Sequence, residues 1–379
     1  MLGKQTALEK LRERSGGLDS FLLDASRGML IPLVPLFLAT ALSAPALLIG
    51  LSESVPALLS SVALAIPPKV RRSRLFRASS LIIAAALRPL LSSSAAFTEF
   101  LAFRSAGSAA ESAALPPKAE KPESQKSRPL CIFPPSSMRN LGGLLLGPIL
   151  SLILLFLLLP QGGAGAYALI ISLSSIPAFL ALIPMLIKSG AKYESEKGEN
   201  SQQPFPASFP APMLASSLFL LSRIGIILFL FKASETLSPP LLVLAYVIFV
   251  SSSAAFSLPA RLLSRALGQK RAFMLGALAF SMAALGFSLG MGGQYTLLLF
   301  ALLGASSSTI GCAKRDSAIP IAQHYPALAA LLLVFSNALA GILWETSFAS
   351  MHAPFLASCA LSLISIFAFA VYAEEDSRT

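Results

Sequence analysis

The chain has 379 residues, of which 55% are hydrophobic and only 12% charged, with a mean hydropathy of +0.74 and a formal net charge of +11. A soluble domain of this size needs far more charge to cover its surface, so a water-borne enzyme or binding module is excluded. Nucleic-acid binding is excluded too, because the cations are spread over short segments between apolar runs rather than gathered into one patch.

The first 18 residues are polar and basic, and the apolar stretch that follows is too long for the core of a cleavable signal peptide. Twelve apolar runs then recur, at 19–41, 46–66, 75–91, 95–115, 137–159, 164–188, 212–231, 241–262, 272–291, 295–313, 326–346 and 353–373. About 20 apolar residues in a helix span the roughly 30 Å hydrocarbon core, so each run is a transmembrane helix. The fourth is interrupted by Glu99, Arg104 and Glu111. An even number of spans puts both termini on one side. The segments on that side hold Lys4, Lys10, Arg12 and Arg14, then Lys69, Arg71, Arg72 and Arg74, then Lys118, Lys121, Lys126 and Arg128, and later Arg265, Lys270, Arg271, Lys314 and Arg315. The opposite loops hold only Lys232. Positive charge stays on the cytoplasmic side, which predicts a multi-pass protein of the cell membrane with both termini cytoplasmic.

The chain also repeats itself. Ser26-Arg27 followed by Leu42-Ser43-Ala44-Pro45 recurs as Ser222-Arg223 followed by Leu237-Ser238-Pro239-Pro240, and the basic turn Arg72-Ser73-Arg74-Leu75-Phe76 recurs as Gln269-Lys270-Arg271-Ala272-Phe273. Two parallel copies of a helical membrane unit are a common plan for secondary transporters, with the solute site where the copies face each other. The polar, proline-containing stretch 189–211 reads as a linker. The expected architecture is an all-α membrane protein of twelve helices in two pseudo-symmetric six-helix halves, 1–188 and 212–379, joined by a cytoplasmic linker.

Several local patterns resemble one family. The first span carries Pro32 and Pro35 as a Pro-x-x-Pro pair, the fifth carries Gly143-x-x-x-Gly147-Pro148, and the fourth carries Arg104-Ser105-Ala106-Gly107. Leu263-Ser264, Leu267-Gly268 and Lys270-Arg271 lie between the eighth and ninth spans. With the twelve runs and the repeat, these make the chain similar over its whole length to the major facilitator superfamily, in particular to twelve-span prokaryotic permeases and drug-efflux proteins. The resemblance implies a monomer that moves a small-molecule substrate through the lipid bilayer by alternating access, driven by a proton or a counter-substrate and without a cofactor. It implies gating turns at Arg71, Arg72 and Arg74 and at Gly268, Lys270 and Arg271. The family's loop motif carries a glycine and an acid where this chain has Arg261 and Arg265, and the first copy, Ile66-Pro67-Pro68-Lys69, has no acid. Loss of the acid that closes the cytoplasmic gate leaves a transport-inactive scaffold or sensor as one reading.

Ionisable groups inside spans are costly and by default mark function. At 1.5 Å per residue, Arg27, Arg104 and Arg223 lie roughly 12, 14 and 16 Å into their spans, near mid-membrane. Arg27 and Arg223 are related by the repeat, and two converging guanidiniums suit a carboxylate or phosphate, which they grip through a fixed fork. Alternatively Arg27 is neutralised by Asp24, one turn away, and Arg104, between Glu99 and Glu111, is a structural ion-pair centre. Proton coupling requires a buried carboxyl group; Asp24 is preferred, with Glu53, Glu99 and Glu111 as further candidates. Two substrate readings stand: proton-coupled efflux of amphipathic organic compounds, from the family resemblance, and transport of an organic or inorganic anion through Arg27 and Arg223.

The remaining features have plainer readings. Gly143, Gly147 and Pro148 allow close helix contact and bending rather than phosphate binding, since no Lys-Ser/Thr follows. Trp344 beside Glu345 reads as an interfacial anchor, and the serine clusters 251–253 and 306–308 as bonded to their own helix backbones. Cys131, Cys312 and Cys359 and the two histidines, His324 and His352, form no ligand spacing, so no metal site, cofactor or enzymatic centre is expected.

Overall fold

The computed structural model describes residues 18–71, 73–114, 135–159, 163–188, 211–315, 325–346 and 352–375, and every regular element among them is a helix. The first apolar run is α1 (Leu18–Leu30) and α2 (Val34–Thr40), divided by a turn at 31–33. Pro32 cannot donate to the helix ladder, and Pro35 sits in the first turn of α2, where its missing N–H costs nothing. Then follow α3 (Ala46–Ala63), the short α4 (Pro68–Arg71), α5 (Arg74–Ser92), α6 (Phe97–Ala114) and α7 (Pro135–Leu158). The sixth run is cut by single-residue turns at Ser174 and Ala181 into α8 (Gly163–Leu173), α9 (Ser175–Leu180) and α10 (Leu182–Lys188).

Beyond the sequence-predicted linker, α11 (Ala211–Ser222) and α12 (Ile226–Ala233) are separated by a non-helical stretch at 223–225. The remaining helices are α13 (Pro239–Ala255), α14 (Ser257–Leu267), α15 (Gln269–Ser288), α16 (Gln294–Arg315), α17 (Pro326–Thr346) and α18 (Ala353–Glu375). Among the described residues, nine helical stretches are long and apolar enough to cross a bilayer, or ten when α13 and α14, bent by 43°, form one span. The sequence-predicted twelve include two more: α6, which carries three charged residues, and α7, whose apolar part is Gly142–Leu158. Most of the linker, the tract 115–134, Arg72 and Cys131 lie outside the described residues.

The packing order recurs along the chain. In the amino-terminal helices α1 packs on α7 and α9, α3 on α6, and α5 on α6 and α8; in the carboxy-terminal helices α11 packs on α17 and α18, α13 on α16, and α15 on α16 and α18. The two groups are joined chiefly by α3 with α17, α7 with α13, and α12 with α2 and α3. Along α3 and α17 the close approaches fall at the ends remote from the basic turns. Gly341 lies against the backbone of Leu47, and Gly50 against the carbonyl of Asn337. The Leu47 N–H also donates to Glu345 Oε1 at 3.0 Å, so a carboxylate of α17 caps the first turn of α3.

The carboxy-terminal core is aromatic. Phe229 of α12 meets Phe287 at 5.0 Å and Phe355 at 5.1 Å between ring centroids, and Phe219 meets Phe273 edge-on at 5.0 Å. Edge-to-face rings bury large apolar area and fix orientation, which anchors a half-helix of only eight residues. The amino-terminal group is held differently. Gly143 and Gly147 of α7 lie against the carbonyls of Phe21 and Ala25, and Gly28 of α1 lies against Pro148, where an added Cβ would be 2.8 Å from its Cδ. Helices in a bilayer gain little from apolar burial against each other, so backbone approach through small residues carries their association.

Gly147→Val places a branched side chain on the Ala25 carbonyl. It is expected to cost about 1–3 kcal/mol by overpacking, measured as a lowered melting temperature in detergent. Gly165→Ala, with nothing within 4 Å of the new Cβ, serves as the tolerated control.

Candidate functional site

At 223–225 the backbone leaves the helix and is met by side-chain partners from neighbouring helices. Unwound backbone in a membrane is tolerated only where its polar groups are met. Here Ser336 of α17 donates its hydroxyl to the Arg223 carbonyl at 3.1 Å, Ser358 of α18 donates to the Ser222 carbonyl, and the Gly225 N–H donates to Asn337 Oδ1 at 2.9 Å. The N–H of Ile227, at the start of α12, donates to Glu53 Oε2 of α3 at 2.8 Å. A helix N-terminus carries partial positive charge and uncovered N–H groups, so it holds a carboxylate well. Gly225 has no Cβ because there is no room for one; its position is occupied by the Glu53 carboxylate and, at 3.0 Å, Asn337 Oδ1. Glu53 thus links the two groups of helices at mid-bundle.

A second network lies entirely in the amino-terminal helices. Glu111 of α6 accepts from Arg27 Nε of α1 at 2.5 Å and from Arg88 of α5, whose other terminal nitrogen donates to the Ser174 carbonyl at 3.1 Å. Asp24 lies 3.8 Å from Arg27. Arg27 is therefore neutralised first by Glu111, with Asp24 more distant. Arg88 was absent from the sequence-derived candidates, although a charge inside the third apolar run is itself the signal that intramembrane charge is functional or paired. Arg104 is not an ion-pair centre: it has no carboxylate within 4 Å among the described residues, and its Nη1 is buried without a hydrogen-bond partner.

Two adjoining cavities meet at Glu53 and Ala57. One, of ≈ 240 Å³, is lined by Arg223, Asn337, Ser306, Ser307 and the rings of Phe229, Phe249 and Phe280. The other, of ≈ 210 Å³, is lined by Arg27, Arg88, Arg104, Glu111, Phe103 and Leu30. Arg104 and Arg223 both act electrostatically on Glu53, one from each cavity. The repeat-related pair Arg27 and Arg223 consequently does not occupy matching places. Arg27 lies inside a helix and is spent on Glu111, whereas Arg223 lies in unwound backbone and makes no side-chain ion pair with the described residues.

The other sequence candidates are dispersed. Glu99 is exposed and accepts from the Ala95 N–H at 3.1 Å, capping the start of α6 outside both cavity linings. In the first basic turn, Arg71 donates to the carbonyls of Leu64 at 3.4 Å and Ser112 at 3.3 Å, Arg74 to that of Leu186 at 3.3 Å, and Arg77 to that of Ala114 at 2.9 Å. These carbonyls end α3, α6 and α10, so the partial negative charge of helix C-termini meets arginines in a turn that has no acid. Arg72 lies outside the described residues. In the second turn Gly268 adopts φ +84° between α14 and α15, a conformation that favours glycine, and Lys270 and Arg271 are exposed. Trp344 packs on Phe231 and Phe355 with Lys232 5.7 Å from its ring centroid. Ser252 and Ser306 donate to carbonyls of neighbouring helices, Ala301 at 2.6 Å and Gly276 at 2.8 Å, not to their own.

No family model matches the chain. Among curated proteins it is similar to an uncharacterized MFS-type transporter of Methanocaldococcus jannaschii, 25% identical over 362 residues, which cover 87% of this chain and 88% of that one. Among solved structures it is similar to the nucleoside transporter NupG, at 12% identity with 95% and 98% of the two chains covered and a TM-score of 0.69. It is also similar to the xylose transporter XylE from E. coli in a partially occluded inward open conformation, at 14% identity, 94% and 97% coverage and a TM-score of 0.62.

Glu111→Gln leaves Arg88 buried and unpaired beside a partly exposed Arg27. The variant is expected to lose about 3 kcal/mol of stability, read as a fall in melting temperature of the purified protein, while Glu99→Gln stays within about 0.5 kcal/mol of the unaltered chain.

Proposed function

We propose that this chain, a member of the major facilitator superfamily, is a secondary transporter that moves a small solute through the chamber around Glu53 by alternating access. The reading takes α1–α10 and α11–α18 as two six-helix halves, joined through 189–211, that rock about the chamber. One observation carries it. The halves meet backbone to backbone where Leu47 and Gly50 face Gly341 and Asn337, remote from the basic turns, and Glu53 and Arg223 line a cavity between them that adjoins a second, charged cavity within the amino-terminal helices. With the basic turns cytoplasmic, this is the arrangement closed to the outside.

The residues favour transport over an inactive relic. An inert bundle has no reason to keep unpaired guanidiniums near mid-membrane, and the acid missing from the first basic turn is offset by helix C-termini that its arginines clasp. Coupling to a proton requires a carboxyl group not already ion-paired to an arginine. Asp24 and Glu111 are tied to arginines inside one half, and Glu99 lies outside the cavities. Glu53, shared by both cavities and both halves, is the coupling residue in this reading, in place of Asp24.

Spin labels test the rocking motion directly in lipid nanodiscs, at Ala41 and Gln294 for the closed face and at Ser73 and Ala266 for the basic face, with the native cysteines replaced. Each pair is expected to show two distance populations, one face narrowing as the other widens when pH moves between 6 and 8. A single fixed distance on both faces at both pH values would overturn alternating access.

A further inference from the structure

We propose that Gly341 and Glu345 of α17 form the latch that holds shut the face remote from the basic turns, with Glu345 the positioning residue that sets the balance between the two conformations of the transport cycle. The proposal rests on the alternating-access reading above and adds the residues that regulate it. It begins from one stripe. Asn337, Gly341 and Glu345 recur every fourth residue and so share one face of α17. Gly50 and Leu47 of α3 lie opposite. A Cβ on Gly50 would be 2.9 Å from the Asn337 carbonyl oxygen, Gly341 lies against the Leu47 backbone, and the Leu47 N–H donates to Glu345 Oε1 at 3.0 Å. Two residues of α17, one turn apart, thus make a seat for the first turn of α3.

That turn takes its cap from the other half. Its N-cap residue is Pro45, which has no side-chain acceptor, where a Ser, Thr, Asp or Asn would satisfy the amides from within the helix. The protein caps α3 only while α3 and α17 are in contact, so closing the seam and capping the helix are one event.

The contact is also built to release. Seams of small residues gain little from apolar burial in a bilayer, which leaves the carboxylate a large share of the holding. A carboxylate on a helix N-terminus is favoured by charge and by a charge-assisted hydrogen bond. Glu345 is exposed, and among the described residues it pairs with no lysine or arginine; Lys232, over the neighbouring Trp344 ring, is paired with Glu235 at 2.6 Å. When the seam parts, water reaches both the Glu345 carboxylate and the Leu47 amide, so neither is stranded. A matched contact exists that crosses no seam. Glu99 of α6 is exposed and accepts from the Ala95 N–H at 3.1 Å, within the amino-terminal helices.

The test uses the full chain in lipid nanodiscs at one pH, spin-labelled at Ala41 and Gln294 or at Ser73 and Ala266, and reads the ratio of wide to narrow distances on each face. Glu345→Ala is expected to raise that ratio at Ala41 and Gln294 about fivefold, the effect of one lost cap, and to lower it at Ser73 and Ala266. Glu345→Gln is expected to shift both the same way by less, because an acceptor stays and the charge goes. Gly341→Ala, whose Cβ meets the Leu47 backbone, is expected to widen the same face by a steric route, and Glu99→Ala to leave both faces unchanged. An unaltered ratio in Glu345→Ala, an equal shift in Glu99→Ala, or a closed face kept in Gly341→Ala would each overturn the latch. Glu345 and Glu99 are exposed side chains, so that comparison stands even if Gly341→Ala folds poorly. A single fixed distance on both faces of the unaltered chain would remove the transporter reading itself. Two distances whose ratio ignores Glu345 would leave that reading and remove the latch alone.

Discussion

A guanidinium inside a membrane bundle must find a counter-charge, and the arrangement of this protein follows from how four of them do so. Arg27 and Arg88 converge on Glu111, which ties α1, α5 and α6 into one unit and reaches Ser174 at the break between α8 and α9. Arg104 and Arg223 have no such partner, and both bear on Glu53. A bound pair is stiff and replaceable by good packing, whereas an unsatisfied one keeps electrostatic force available for a ligand. The chamber therefore has a structural side and a responsive side, separated by one glutamate.

Glu53 can hold that position only because α11 and α12 are not one helix. Unwinding at 223–225 frees amides at the start of α12, and the carbonyls and amides it exposes are taken up by Ser336, Asn337 and Ser358 from α17 and α18. Gly225 then lets the carboxylate approach the backbone where any side chain would block it. The aromatic cluster around Phe229 keeps the short α12 seated while its hydrogen-bonded start faces the chamber. Regular helix, broken helix and side-chain partners thus depend on one another. The glycines of α7 play a different part, bringing α1 close enough for Arg27 to be aimed across the amino-terminal helices at Glu111.

Similarity of packing order between the two groups of helices does not carry down to the residues. Arg27 and Arg223 correspond in sequence, yet the first run breaks after its arginine, at 31–33, and the seventh breaks at it. One arginine is thereby consumed within its group and the other presented to the chamber. An exact repeat would have produced two equivalent arginines and no reason for Glu53 to lie between the groups. In the proposed transporter this asymmetry lets one carboxyl group sense both halves. The basic turns show the same divergence: the first is clasped onto helix C-termini, while in the second Lys270 and Arg271 are exposed.

Hydropathy and the distribution of Lys and Arg determined from sequence alone that the chain is a helical, multi-pass membrane protein, because bilayer thickness and backbone satisfaction leave few alternatives. Intramembrane charge likewise singled out Asp24, Arg27, Arg104, Glu111 and Arg223 without coordinates. Which of these pair was decided only by tertiary structure. Arg27 and Glu111 are 84 residues apart, Glu53 and Ile227 174 apart, and no periodicity links helices that meet through packing. Helical spacing pointed to Asp24 as the partner of Arg27, since it sees only neighbours one turn away, and passed over Arg88, whose partners lie on other helices. The break before α12 was also beyond sequence reach, because its cause is not a proline at the break but the side chains of α17 and α18 that make unwinding affordable there.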